Sequence, residues 1–185
     1  MAHIAILGLG NWGTAVARMW LLEGHKVKGW TIEQEVYESV VMDGINKKYL
    51  PDHPVDGLEA TMRIDEALDG VEIVVLAIPS SVILDVVDDV IPHLRPGHVL
   101  IDLAKGLAPG KRLISQAIHE KLNLAQKTNP LAVVTGPTIA PEAAGGVITT
   151  ALVASEDESV ARRLAETLTT QTFILHAASD PVGAE

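Results

Sequence analysis

The chain has 185 residues, of which 48% are hydrophobic and 21% are charged, the balance of an ordinary globular protein and not of a disordered one. Its formal net charge is -10 and no basic patch is concentrated anywhere, which disfavours nucleic acid as a partner. It contains no Cys, which excludes disulfides, thiolate metal sites and a cysteine nucleophile.

The first predicted element is a buried parallel strand over His3–Leu7 that runs directly into a glycine-rich turn. Gly8, Gly10 and Gly13 form a G-x-G-x-x-G pattern, and a helical apolar pattern follows. This combination is typical of a dinucleotide site. The first glycine permits the tight turn, the second lets the backbone approach a pyrophosphate, and the third lets the helix lie close to the strand. The phosphates then sit on the free N–H groups of the helix N-terminus.

Apolar segments of strand and helix length alternate along the rest of the chain, with short connections. The predicted strands cover 25–31, 60–63, 72–78, 98–103, 131–135, 147–154 and 172–176. The predicted helices cover 14–22, 33–42, 65–68 with Asp65 as its cap, a segment capped by Ser80 or Ser81 and ending at Val90, a segment from Pro109 or Gly110 to about Leu122, and 156–168. This alternation predicts an α/β fold, with a doubly wound, mostly parallel sheet of the Rossmann-like kind over 1–179.

Other features point away from several kinds of site and location. The apolar run 71–79 contains Glu72 and is too short to span a bilayer, and the N-terminus lacks the basic start of a secretory signal. The seven His residues show neither the i, i+4 pairing nor the carboxylate grouping that is typical of a metal site. We therefore expect a soluble, cytoplasmic protein without a metal.

The end of the second predicted strand is where this fold meets the adenosine ribose of a dinucleotide. An acid about 20 positions past the glycines binds the ribose hydroxyls in such folds, and Glu33 is the one candidate. Ile32 stands beside it with no basic residue at that strand end, which favours NAD over NADP while NADP stays possible. Glu33 is equally typical of an acid in the first turn of a helix, where the dipole favours it, so both roles stay open.

Ligands in an open α/β sheet collect beyond the carboxyl ends of the strands. The glycine turn and the segments 78–81, 104–107 and 136–140 are predicted to converge there. Lys105 is the one cation among them, and it is either a contact for a phosphate or carbonyl or a solvated surface side chain. Thr138 either donates its hydroxyl to a ligand or caps the next helix.

A series of motifs, in this order and at fitting separations, resembles the NAD(P)-dependent glycerol-3-phosphate dehydrogenases. The matching segments are 8–15 (GLGNWGTA), Asn46-x-x-Tyr49-Leu50-Pro51, 77–80 (AIPS), 105–107 (KGL) and 136–142 (GPTIAPE). The resemblance implies hydride transfer between a nicotinamide cofactor and C2 of sn-glycerol 3-phosphate, giving dihydroxyacetone phosphate, or the reverse.

The glycine turn, the strand ends and this resemblance together give the predicted site residues. The cofactor-binding set is Gly8, Gly10, Asn11, Trp12, Gly13, Glu33, Pro79, Lys105 and Ala140, in which Asn11, Trp12, Lys105 and Ala140 are implied by the resemblance. The substrate-binding set implied by the resemblance is Lys105, Gly136 and Thr138.

The chain departs from the family's pattern at several positions. Ala104 replaces the usual Ser or Thr before the lysine, and Ile32 stands where bacterial members often place Arg or His near the ribose, which weakens the case for NADP. Residues 180–185 resemble the start of a glycine-rich helix that supplies the family's catalytic lysine, and that lysine does not follow within the sequence. The helical substrate domain with its Arg-Asn pair is also missing. We therefore expect a cofactor-binding half, either cut or naturally short, which is inactive alone because it has no general base.

Two other functions stay open at this point. The chain could serve as a stand-alone, non-catalytic module that binds or senses NAD(H). It could also belong to a reductase of another small hydroxy acid, since such enzymes share the glycine turn, although 46–51 and 136–142 argue against this. A homodimer is left open, because a surface that would pack against a further domain is expected to be apolar.

Overall fold

The computed structural model describes residues 1–185 and shows an α/β fold. The strands are β1 (His3–Leu7), β2 (Lys26–Trp30), β3 (Glu59–Thr61), β4 (Ile73–Leu76), β5 (Val99–Asp102), β6 (Leu107–Ala108), β7 (Arg112–Leu113), β8 (Leu131–Thr135), β9 (Thr149–Ala154) and β10 (Phe173–Ala178). The α-helices are α1 (Asn11–Leu22), α2 (Gln34–Asp43), α3 (Ile64–Leu68), α4 (Ile83–Val90), α5 (Ile114–Leu124), α6 (Ala140–Ala144), α7 (Glu158–Leu168) and α8 (Pro181–Ala184). A 3₁₀ turn, Ile91–His93, extends α4.

Eight strands form one sheet in the order β10-β9-β8-β5-β4-β1-β2-β3. Every neighbouring pair is parallel except β8 and β9, which are antiparallel. The sheet therefore confirms the predicted doubly wound, mostly parallel architecture. The chain builds outward from β1 through β2 and β3, then returns to β4 on the other side of β1. This reversal leaves a crevice beyond the carboxyl ends of β1 and β4, the usual ligand position in such sheets.

Helices cover both faces of the sheet, which explains why its central strands are apolar runs without alternation. One core contains Ile4 and Ile6 of β1 together with side chains of α1 and α7. The other contains Ala5 and Leu7 together with side chains of α4 and α5. Because β1 is buried on both faces, the glycine turn that follows it starts from a rigid position.

The predicted helix start at Pro109 or Gly110 is wrong. Residues 107–113 form the short antiparallel hairpin β6-β7, and α5 begins only at Ile114. Gly110 has φ 80° and Lys111 has φ 60°, left-handed values that a right-handed helix does not include. The hairpin keeps the segment after Lys105 out of helix.

Two predicted helix caps are also wrong. Val82, and neither Ser80 nor Ser81, precedes α4, and its side chain makes no capping bond. The turn is closed by the backbone instead, since the N–H groups of Val82 and Ile83 both donate to the Pro79 carbonyl. In α3 the N-cap position belongs to Arg63, and Asp65 lies inside the first turn, where it pairs with the Arg63 guanidinium at 2.6 Å.

None of the helices combines the length and the apolar composition that a membrane-spanning helix needs.

Candidate functional site

A cleft of about 690 Å³ opens in the crevice at the carboxyl ends of β1 and β4. It is lined by the glycine turn, by the segments that follow β2, β4 and β5, and by residues next to the start of α6. The predicted site residues that line it are Gly8, Gly10, Asn11, Trp12, Gly13, Glu33, Pro79, Lys105, Thr138 and Ala140. Gly136 does not line the cleft. Residues that are distant in sequence thus meet around one cavity.

The three glycines of the turn differ in whether the fold requires them. Gly8 has φ 103°, and a Cβ there would lie 2.4 Å from the Ala77 carbonyl oxygen. A Cβ on Gly13 would lie 1.9 Å from the Gly8 carbonyl oxygen. A Cβ on Gly10 would meet nothing within 4 Å. The fold therefore requires the first and third glycines, whereas Gly10 leaves open space in the cleft.

The N-terminus of α1 faces this open space without a cap from the chain. Gly10 is the N-cap residue, no side chain caps the helix, and its first turn contains no acidic residue. The first backbone bond at this end is donated by Thr14 to the Gly10 carbonyl at 2.9 Å. The preceding N–H groups and the positive end of the helix dipole are therefore available to an anion.

The segment 45–54, between α2 and β3, folds back over the glycine turn. Asn46 is fully buried, and its amide donates to the Leu9 carbonyl and to the Thr14 hydroxyl, each at 2.8 Å. Its side-chain oxygen accepts a bond from the Tyr49 N–H at 3.2 Å. Leu50 is buried in a small cluster beside α1. These contacts explain the Asn-x-x-Tyr-Leu pattern and bring Tyr49 to the cleft.

We expect Asn46→Ala to weaken both the fold and ligand binding at the cleft. The substitution leaves the buried Leu9 carbonyl without its amide donor and frees the segment that carries Tyr49, so stability falls by about 1–3 kcal/mol. Urea unfolding measures this loss. Gln34→Ala is the matched control, because Gln34 bonds only to exposed Glu38, and a similar loss in both variants would contradict the prediction.

Glu33 lines the cleft just before α2. Its side chain makes no capping bond. The Tyr49 hydroxyl donates to one carboxylate oxygen at 2.8 Å, and the Lys48 ammonium pairs with the other. These bonds from Lys48 and Tyr49 lower the pKa of Glu33 below its ordinary value. Glu33 is therefore ionised and held in place.

The expectation that no basic residue stands at this strand end is wrong. Lys48 comes from a segment 15 residues further along the chain, and it reaches Glu33 because Asn46 fixes that segment over the glycine turn. Tyr49 is part of the motif Asn46-x-x-Tyr49-Leu50-Pro51, and neither Tyr49 nor Lys48 is among the predicted site residues. No local pattern signals either contact.

Lys105 lies in the loop after β5, in a turn fixed by Asp102. One Asp102 carboxylate oxygen accepts the Ala104 N–H at 2.8 Å, and the other has no partner although the residue is only 1% exposed. Burial raises the pKa of Asp102 to about 7, and the Glu185 carboxylate adds to the rise. Asp102 lies inside the predicted strand 98–103, and nothing in that apolar pattern signals a buried, partly unpaired carboxylate.

Gly136 has a packing role at the antiparallel contact between β8 and β9. A Cβ there would lie 2.8 Å from the Thr150 carbonyl oxygen and 3.0 Å from the Ala151 Cα. Its predicted contact with a substrate stays a prediction. Thr138 lines the cleft, and the N-cap residue of α6 is Ile139, so the capping alternative for Thr138 is wrong.

A second cleft, of about 720 Å³, lies beside the amino end of β8 and is bordered by α5 and by residues 155–157. None of the predicted site residues lines it, and it has no glycine turn. No group of three or more His, Asp or Glu side chains is arranged to hold a metal ion. The glycine-turn cleft is therefore the candidate site.

Comparisons with known proteins identify the family to which the chain belongs. The family model described as NAD-dependent glycerol-3-phosphate dehydrogenase N-terminus matches residues 3–161. A glycerol-3-phosphate dehydrogenase (NAD(P)+) of an Exiguobacterium species is 37% identical over 187 residues, covering 100% of this chain and 54% of the relative. The crystal structure of glycerol-3-phosphate dehydrogenase from Coxiella burnetii superposes with a TM-score of 0.89 at 32% identity, covering 98% of this chain and 55% of that one.

The fold alone is less specific than these matches. A UDP-glucose dehydrogenase from Pyrobaculum islandicum has a TM-score of 0.78 at 18% identity, over 100% of this chain and 47% of that one, so it shares the fold only. The chain spans about half the length of the curated relatives it matches. The family match covers most of the chain and confirms the resemblance drawn from its motifs. The chain therefore belongs to the NAD-dependent glycerol-3-phosphate dehydrogenase N-terminal family.

Proposed function

We propose that this chain is the cofactor-binding half of an NAD(P)-dependent glycerol-3-phosphate dehydrogenase and that the glycine-turn cleft holds NAD(H). The observation that carries the proposal is the uncapped N-terminus of α1, with open space at Gly10 between two glycines that the fold itself requires. A dinucleotide diphosphate fits there, because it needs close backbone approach and unpaired N–H donors. The relatives' names, which give NAD(P)+ as cofactor, support the same class of ligand.

The two ends of the cleft suit the two ends of the cofactor. Glu33 and Tyr49 offer hydrogen-bonding groups for the adenosine ribose. Lys105 and Thr138 line the cleft at its other strand ends, where we assign the nicotinamide and the substrate. The bound nicotinamide supplies the hydride chemistry, exchanging a hydride with C2 of sn-glycerol 3-phosphate or dihydroxyacetone phosphate.

In this proposal the chain's own residues bind and orient the cofactor and the substrate. The Lys105 ammonium attracts the substrate phosphate or polarises its carbonyl, and the Thr138 hydroxyl donates a hydrogen bond. Glu33 and Tyr49 are committed to each other at the ribose end, so neither is assigned as the base for the C2 hydroxyl proton. We therefore propose that residues 1–185 bind the cofactor and catalyse negligible turnover.

Titration of the chain with NADH, followed by tryptophan fluorescence, tests the proposal. Trp12 and Trp30 line the cleft, and Trp20 is buried in the core. We expect saturable quenching or energy transfer to the nicotinamide. Absence of binding by both NADH and NADPH would overturn the proposal. Production of NADH from glycerol 3-phosphate and NAD⁺ by residues 1–185 would overturn the assignment that the base is absent.

A further inference from the structure

The ribose-edge cluster consists of four side chains: Glu33, Glu35, Lys48 and Tyr49. Glu33 and Tyr49 line the cleft, and Glu35 and Lys48 adjoin them. The Lys48 ammonium pairs with the carboxylates of both Glu33 and Glu35, and it lies 5.5 Å from the centroid of the Tyr49 ring. The Tyr49 hydroxyl donates to Glu33 at 2.8 Å. Lys48 and Tyr49 arrive from a different segment than the two acids, so the cluster exists only in the folded chain.

We infer that Lys48 is a specificity-determining residue for the cofactor. Held by two carboxylates, it orients Glu33 as an acceptor for ribose hydroxyls, so this edge of the cleft selects NAD(H) over NADP(H). Released from them, it becomes a cationic contact for a 2′-phosphate. The inference rests on the proposed function, since it concerns the cofactor that the cleft is proposed to hold.

Net charge is the first property of the ribose-edge cluster that favours NAD(H). Glu33 and Glu35 are acids, and Lys48 is the one cation among the four residues, so the cluster is negative overall. A 2′-phosphate brings further negative charge and would meet net repulsion, whereas a 2′-hydroxyl is neutral. Ile32, 74% exposed beside Glu33, offers no side-chain donor in compensation.

Hydrogen-bonding capacity is the second property of the ribose-edge cluster that favours NAD(H). The two carboxylate oxygens of Glu33 accept from Lys48 and Tyr49 respectively. Each carboxylate oxygen has two lone pairs, so both keep capacity for ribose hydroxyls. Two of the three ammonium protons of Lys48 are directed at carboxylates, which leaves it poorly placed to bind a phosphate. The same contacts therefore favour one cofactor and disfavour the other.

The alternative is that these contacts are an ordinary surface ion pair that only pins the segment 45–54. The side chains of Lys48, Glu33 and Glu35 are 39%, 30% and 66% exposed, so solvent screens their attraction and the effect on stability is small. Stability therefore does not separate the two cases. The ratio of the NADH and NADPH dissociation constants does, because only a role in recognition changes it.

The test measures both dissociation constants by fluorescence titration in the wild-type chain and in its variants. We expect the wild type to bind NADH at least about tenfold tighter than NADPH. Glu33→Gln combined with Glu35→Gln makes the cluster positive, so NADPH affinity should rise at least about tenfold while NADH affinity falls. Adding Lys48→Met to that double variant leaves the cluster neutral and should reduce the gain for NADPH. High salt should reduce the gain as well.

Lys121→Met is the matched control, since Lys121 forms a similar exposed ion pair with Asp88 at 2.6 Å, between α4 and α5 and away from the cleft. It should leave both constants unchanged. Equal NADPH affinity of the double variant with and without Lys48 would overturn the inference while NADH binding by the wild type upholds the proposed function. A wild type that binds neither dinucleotide would overturn both.

Discussion

Gly13→Ala is expected to destabilise the fold severely, whereas Gly10→Ala leaves the fold nearly intact and removes most of the affinity for NADH. A methyl group at residue 13 would lie 1.9 Å from the Gly8 carbonyl oxygen, a backbone atom, and 3.1 Å from the Ala77 Cβ. Overpacking of this kind costs about 3 kcal/mol or more. For a chain of this size, that loss lowers the unfolding midpoint by about 6–12 °C.

Gly10→Ala is expected to lower NADH affinity and to leave stability nearly unchanged. A methyl group there meets nothing within 4 Å and occupies the space in which we propose the diphosphate binds. The backbone has φ −76°, which alanine adopts freely, so the loss of stability is limited to about 0.5–1 kcal/mol for alanine at an N-cap. NADH affinity should fall at least about tenfold, because the methyl group separates the phosphates from the helix N–H groups.

Thermal unfolding followed by circular dichroism, together with NADH titration, separates these effects. Gly97→Ala is the control, since Gly97 lies in a turn before β5, has no contact within 4 Å of its added Cβ and does not line the cleft. It should change neither quantity. Unchanged NADH affinity in Gly10→Ala would show that the diphosphate does not lie at this helix end.

The parts of the fold that sequence analysis predicted correctly depend on local patterns. The strand His3–Leu7, the glycine turn and the helix after it are adjacent in sequence, and their periodicity and glycine spacing identify them directly. The predicted convergence of Pro79, Lys105 and Thr138 on one cleft is also observed. It follows from topology, because parallel strands end at the same edge of a sheet.

The connection between β8 and β9 accounts for the antiparallel direction of β9. Only α6, with five residues, lies between β8 and β9, and such a helix spans about 7.5 Å. Strand β8, also of five residues, is about 17 Å long, so α6 alone is too short to return the chain to the starting edge of the sheet. The helix packs against α1 instead, and β9 starts where β8 ends. The antiparallel direction of β9 was not predicted from the sequence.

The contacts that sequence analysis missed are long-range and polar. Lys48 pairs with Glu33 across 15 residues, through a segment whose path depends on the buried amide of Asn46. The hairpin at 107–113 depends on left-handed values at Gly110 and Lys111, and lysine gives no signal for such a conformation. Polar partners of this kind are set by tertiary structure, which hydrophobic periodicity does not encode.

Asp102→Asn is expected to stabilise the chain above neutral pH and to flatten the pH dependence of its stability. The carboxyl group is 1% exposed, one of its oxygens has no partner, and burial raises its pKa to about 7. The unfolded chain releases this proton near pH 4, so between about pH 4 and 7 the folded state binds more protons and loses stability as pH rises. A rise of about three pKa units corresponds to about 4 kcal/mol at pH 8.

Asparagine keeps the acceptor for the Ala104 N–H and carries no charge to bury. Urea unfolding from pH 5 to pH 8 should therefore show a gain over the wild type that grows with pH and levels off above about pH 8. Burial lowers the pKa of His25 and of His98, so both residues make stability rise with pH below the ordinary pKa of histidine. The stability of Asp102→Asn is therefore compared with that of the wild type at each pH, because both proteins contain the two histidines. Asp102→Ala should flatten the profile equally but lower stability at pH 5, since it removes the acceptor. A constant difference between Asp102→Asn and the wild type at every pH would show that Asp102 is ionised throughout, with a partner that offsets its burial.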